Sequence, residues 1–148
     1  MKKYSFRLQA VLNLKEKALE DKRFEMAKII KLLNDYQEEL KTLEEKHLSY
    51  KKDVEGLSSG NDTVNIHEIV SYSSYLIQLE QQIKDKQVTI ENTRKILKVK
   101  QNEVNEAYKD VKVLDKLKET QSKKFYSNLY KKEAEEVDDI VTARYKVS

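Results

Sequence analysis

Two histidines, two glycines and a run of carboxylates are the residues of this 148-residue chain from which a chemical site could be built. His47 falls on an apolar stripe and His67 in the first turn of a helix. A metal site needs several ligands at matched spacing, so both read as structural. Gly56 and Gly60 lack the GxxxxGK[ST] pattern and the preceding strand of a phosphate loop, and read as hinge residues. Glu133, Glu135, Glu136, Asp138 and Asp139 read as a solvated helical face, with Lys131 and Lys132 just ahead and placed to interact with them along the helix. There is no cysteine, which removes disulfides, thiolate zinc sites and thiol catalysis within the chain. No catalytic, cofactor-binding or metal-binding residue is expected. The chain reads as a non-enzyme that acts by binding other proteins.

What would have to position any such residue is set by composition. Charged residues make up 37% of the chain and mean hydropathy is −0.80, too polar for a thick globular core. Disorder is the usual alternative, but it favours Pro and Gly and lacks apolar periods, whereas this chain has no Pro and two Gly. Long helices fit better. The 29 basic and 26 acidic residues are interleaved, without the one-sided basic stripe expected of a nucleic-acid binder. After Lys2 and Lys3 no apolar run follows, because Arg7, Gln9, Asn13 and Lys15 interrupt it, so no secretory signal is expected. No window offers the ~18 apolar residues of a spanning helix, so membrane contact is expected only at the periphery or through a partner.

From Leu8, alternating steps of four and three give Leu8, Leu12, Lys15, Leu19, Lys22, Met26, Ile29, Leu33, Tyr36, Leu40, Leu43, His47, Tyr50, Val54 and Leu57. Only Lys15, Lys22 and His47 break the stripe. A 3.5-residue period held this long is the seam of a left-handed coiled coil. It predicts a first helix over about residues 5–57. The glycine- and serine-rich stretch from Gly56 to Thr63 predicts the turn, at about 58–64. Asn65 with Glu68 forms a capping box, and Val64 with Ile69 a hydrophobic staple, opening a second helix over about 65–145. Its rhythm runs Ile69, Tyr72, Leu76, Leu79, Ile83, Lys86, Ile90, Thr93, Leu97, Lys100, Val104, Ala107, Val111 and Leu114. Because Lys86, Thr93 and Lys100 are polar, a weakly packed, bendable stretch is expected there, with lysine stems covering the gap.

The expected fold is all-α: one antiparallel two-helix coiled-coil hairpin over residues 1–148, with a longer C-terminal helix that overhangs. Folding the second helix back places Leu8 near Lys116 and exhausts the first helix by about residue 120. Phe125, Leu129, Val137 and Ile140 then have no seam to fill, flanked by Tyr126, Tyr130, Val141 and Tyr145. Leaving such side chains in water forgoes about 1.5–3 kcal/mol each relative to burial. Another protein is therefore expected to sheathe this end. Nine tyrosines against three phenylalanines fit helices that meet partners. Tyr36, Tyr50 and Tyr72 lie on the seam; Tyr75, one position off it, is the candidate for a partner contact near the turn.

The opening Tyr4-Ser5-Phe6-Arg7-Leu8-Gln9-Ala10-Val11-Leu12 resembles the F-R-L-Q-x-V-L start of the flagellar export protein FliJ family. Tyr72, Tyr75-Leu76, Leu79-Glu80 and Ile83 are similar to that family's Y-x-x-[FY]-[IL]-x-x-L-E-x-x-I stretch. Leu114 to Glu119 resembles its L-x-K-L-x-E, and Glu133 to Arg144 its tail, where Val137 and Val141 depart from the commoner leucine and small residue. The resemblance spans essentially the whole chain.

That resemblance implies a component of the bacterial flagellar type III export apparatus, cytoplasmic and peripherally associated with the inner membrane. Its implied partners are the hexameric export ATPase, the cytoplasmic domain of the export gate, and export chaperones, with no nucleic acid and no direct membrane insertion. Phe6, Leu8, Phe125, Leu129, Val137 and Ile140 are the expected ATPase-ring residues. Leu43, Tyr50, Tyr75 and Leu79 are carried over by position as gate-binding residues, although Leu43, Tyr50 and Leu79 read equally well as core. Rival readings are the stalk of a virulence-type secretion ATPase, a general coiled-coil chaperone and a structural oligomer.

Overall fold

The computed structural model describes residues 2–59 and 66–147, and two long helices packed against each other make up nearly all of it. Helix α1 spans Gln9–Ser59 and α2 spans Ile66–Val147. Among the described residues there is no strand, so the all-α hairpin expected from the periodicity is the fold. Of the turn expected at about 58–64, residues 58–59 belong to α1, while 60–64, the Asn65 cap, Val64 of the staple and Gly60 lie outside the described residues. Contacts divide the chain into two compact units, Met1–Lys22 with Glu103–Ser148, and Arg23–Asn102.

In the first unit the core is Phe6, Leu12, Leu19 and Val111, with Tyr4, Val104, Ala107 and Leu114 packed against it. Leu12 is 1% exposed. The seam positions read from sequence are thus the interior, with one difference at its start. Leu8 is 36% exposed and Phe6 is 6% exposed, so Phe6 fills the end of the seam. The expected helix from Ser5 gives way to a non-helical strap over residues 2–6 and a turn at 7–8. The Gln9 amide donates to the Phe6 carbonyl at 3.1 Å and the Leu12 amide to the Leu8 carbonyl at 2.9 Å, which starts α1. Burying a phenyl ring is worth about 1.5–3 kcal/mol, whereas helix propensity differs by only about 0.7 kcal/mol or less among ordinary residues. The ring decides the conformation.

In the second unit Leu79, Ile90 and Thr93 are buried. The expected seam residues from Met26 to Leu57 on α1 and from Ile69 to Lys100 on α2 are otherwise half-buried, as two helices without a third layer must leave them. Thr93 is 5% exposed, yet its hydroxyl donates to the Thr89 carbonyl at 2.8 Å, so no polar atom is left unsatisfied there.

Gly56 corrects one expectation. It is not a hinge but a residue of α1, which continues to Ser59, and no described glycine has a positive φ. A single glycine weakens a helix without ending it, at a cost of about 1 kcal/mol. A Cβ added at Gly56 meets nothing within 4 Å. Gly56→Ala is therefore expected to stabilise the protein by about 0.5–1 kcal/mol, measured as a rise in urea midpoint at unchanged slope.

Candidate partner-binding surfaces

Lysines and one histidine interrupt the apolar seam of the helices, and each faces a polar partner across the pair. In the first unit Lys15 lies 3.7 Å from Asp110 and Lys22 3.3 Å from Glu103. The Lys118 ammonium donates to the Gln9 side chain at 2.8 Å. In the second unit Lys100 lies 3.2 Å from Glu25, Lys86 pairs with Glu39, and His47 lies 3.2 Å from Glu80. The two residue numbers total 125 in each lysine–carboxylate pair, which is the antiparallel register. None of these partners is visible along the sequence, where only the stems of Lys86 and Lys100 are expected to cover a gap in the seam. A fixed total over oppositely charged positions was the signal that could have found them.

This register fixes where the hairpin ends. The expected cover stopped near residue 120, but the strap extends it. The Tyr4 hydroxyl donates to Gln121 at 3.2 Å, the Tyr4 amide to the Tyr126 hydroxyl at 3.5 Å, and the Tyr4 ring lies 5.6 Å from that of Phe125. Extended backbone advances about 3.3 Å per residue against 1.5 Å in a helix, so a few strap residues reach farther than another turn of α1. Phe125 is consequently half-buried and does have a seam to fill. Leu129 is also half-buried, and from Lys131 to Lys146 every residue is exposed. Val137 at 58% and Ile140 at 56% belong to this overhang. Of the residues expected to meet the ATPase ring, Phe6 is therefore core, Phe125 is shared with Tyr4, and Leu8, Leu129, Val137 and Ile140 have accessible surface.

Charges along this part of α2 follow helix chemistry. Glu119 accepts from Lys123 at 3.0 Å, and that hydrogen bond, with the lysine's charge, holds the Glu119 carboxyl below its usual range. The pair's small stabilisation is present above the ordinary carboxylate pKa and is lost as pH falls through the lowered one. Glu ahead of Lys at i,i+4 is the favourable order. Lys131 and Lys132 precede the acidic run in the unfavourable order, and the interaction expected along the helix is not made: no ion pair joins them to it among the described residues.

In the second unit the Tyr50 ring lies 4.6 Å from Tyr75 and 5.8 Å from Tyr72, both tilted. Tyr75 is 36% exposed, so it keeps an outward face while Tyr50 holds its position. Leu79 is 2% exposed and is core. Leu43 lines an open groove with Asp35, Glu38, Glu39, Thr42, Gln82, Asp85, Lys86 and Thr89. The four expected gate residues thus separate into an accessible Tyr75, half-buried Leu43 and Tyr50, and an interior Leu79. No group of three or more histidine, aspartate or glutamate side chains is placed to hold a metal among the described residues. Nor, among them, is any helix long and apolar enough to cross a membrane.

The Lys86 ammonium also lies 4.9 Å from the Tyr36 ring centroid, a cation–π contact added to its ion pair with Glu39. Glu39→Lys is expected to cost about 1 kcal/mol by opposing two cations. Glu39→Lys with Lys86→Glu should recover part of that loss, because the ion pair returns and the cation–π contact does not. A double-mutant cycle in urea measures it.

Compared with known proteins, residues 4–148 match the family model described as flagellar FliJ protein. No curated protein and no solved structure matches the chain.

Proposed function

We propose, from the premise that this chain belongs to the flagellar FliJ protein family, that it is a non-enzymatic stalk joining the export ATPase to the export gate. Membership makes it a component of flagellar protein export; the partners and their sites are the proposal. The overhang of α2 carries the reading. A solvated helix bearing Val137, Ile140 and Val141 at 50–58% exposure has no α1 residue to cover it, and burial in a ring of partner subunits gains the area that water now wets. Leu8 and Leu129 add accessible apolar surface to the same unit. Phe6 contributes from beneath, by holding the strap.

For such a stalk to act on an ATPase it must bind some conformations of the ring subunits better than others, since only differential affinity moves an equilibrium. The chemistry stays with the ATPase. Tyr75, backed by Tyr50 and flanked by Leu43, is the surface assigned to the gate's cytoplasmic domain; export chaperones are further partners. Attachment through these proteins gives the chain a cytoplasmic, peripheral place at the inner membrane.

Val137→Glu with Ile140→Glu is expected to lower ATPase stimulation at least about tenfold while the melting curve stays that of the parent, because neither residue is packed in the hairpin. Stimulation at the parental level would remove the assignment. Tyr75→Ala is expected to weaken capture of the gate domain and leave ATPase retention unchanged in a pull-down; loss of both together would point to unfolding instead.

A further inference from the structure

Beyond Leu129 the overhang carries a second apolar row, turned about 100° around the helix from the seam that Phe125 and Leu129 continue. Tyr130, Ala134, Val137 and Val141 recur at steps of four, three and four, the rhythm of a helix-pairing seam. Tyr130 is 62% exposed, Val137 58% and Val141 50%, and Ala134 is exposed with them. Lys131 and Asp138 flank this row at equivalent positions, each just after a seam residue, and among the described residues neither takes part in an ion pair.

We propose that this row is a self-association site, whose occupant is the same row of a second copy of the chain running antiparallel. Charge selects both the occupant and the direction. With helices antiparallel and centred between Ala134 and Val137, Tyr130 opposes Val141 of the second copy and Ala134 opposes its Val137. Lys131 then lies beside Asp138 of the second copy, and two-fold symmetry makes that ion pair twice. A parallel pair would instead set Glu133 against Asp138 of the second copy, like charge against like, and leave Lys131 without an acidic partner. Ala134 at the centre allows close approach of the two backbones opposite the larger valine. The contact is one short helix against another, below the size of a stable interface, so it is a concentration-dependent dimer. It does not rest on the assignment to the export ATPase and needs none of that assignment's partners, but it buries Val137 and Val141 of the same overhang, so the self-associated and ring-bound states exclude each other.

The test is sedimentation equilibrium of the full chain alone over ~5–500 µM, the range a small interface calls for. The parent is expected to move from monomer toward twice its mass. Lys131→Glu, which sets glutamate against Asp138 of the second copy, and Asp138→Lys, which sets lysine against lysine, should each weaken association by about tenfold. The combined Lys131→Glu/Asp138→Lys chain restores opposite charges and should return to the parental dissociation constant, with circular dichroism holding helicity constant throughout. A parent that stays monomeric over the whole range overturns the proposal and leaves the row to a different protein. Association that ignores both single substitutions, or that the combined chain fails to restore, overturns it as well.

Discussion

Register is the constraint on which everything else in this hairpin depends, and charges opposed across the helix pair fix it. An apolar seam of leucines and isoleucines tolerates sliding by a heptad, since each new contact resembles the old. A lysine in the seam tolerates it less, because sliding parts it from its carboxylate and leaves a partly covered charge facing an apolar residue or a like charge. Lys15, Lys22, Lys86 and Lys100 each find that carboxylate on the opposite helix. Their energetic worth as exposed or half-exposed pairs is small, yet they tell one alignment from its neighbours, which the apolar residues cannot do.

Given that alignment, the unequal helices determine the rest. The N-terminal strap spends Tyr4 and Phe6 on covering α2 as far as Phe125, and beyond Tyr130 the helix is exposed from Lys131 to Lys146. The same logic separates two kinds of tyrosine. Tyr50 and Tyr72 are half-buried between helices, while Tyr75 leans on Tyr50 and keeps one face outward. The accessible apolar surface is here whatever the intramolecular pairing leaves over.

Most of the fold could be read from the 3.5-residue period, because period and packing are one fact in a two-helix protein. Leu12, Leu19, Leu79, Ile90 and Val111 are interior where the rhythm put them. Phe6 and Leu8 were less legible: both are apolar and adjacent to the seam, and only the geometry of a non-helical strap decides which enters. Gly56 misled because glycine signals a break in composition without enforcing one in backbone. The ion pairs escaped for a different reason. Charge patterning within one helix is visible along the sequence, whereas pairing between helices becomes visible only after the register is known.

The constant total of paired residue numbers also bears on how a chain of this kind can change its length. Adding residues to one arm alone shifts every pair beyond the insertion, turning matched charges into mismatched ones over the remaining seam. Gains or losses that preserve the fold are therefore concerted, a heptad in each arm at facing levels, while α2 past the strap can lengthen or shorten with no counterpart. Changes of length past the strap leave the paired register intact, whereas those within the paired arms must be made together.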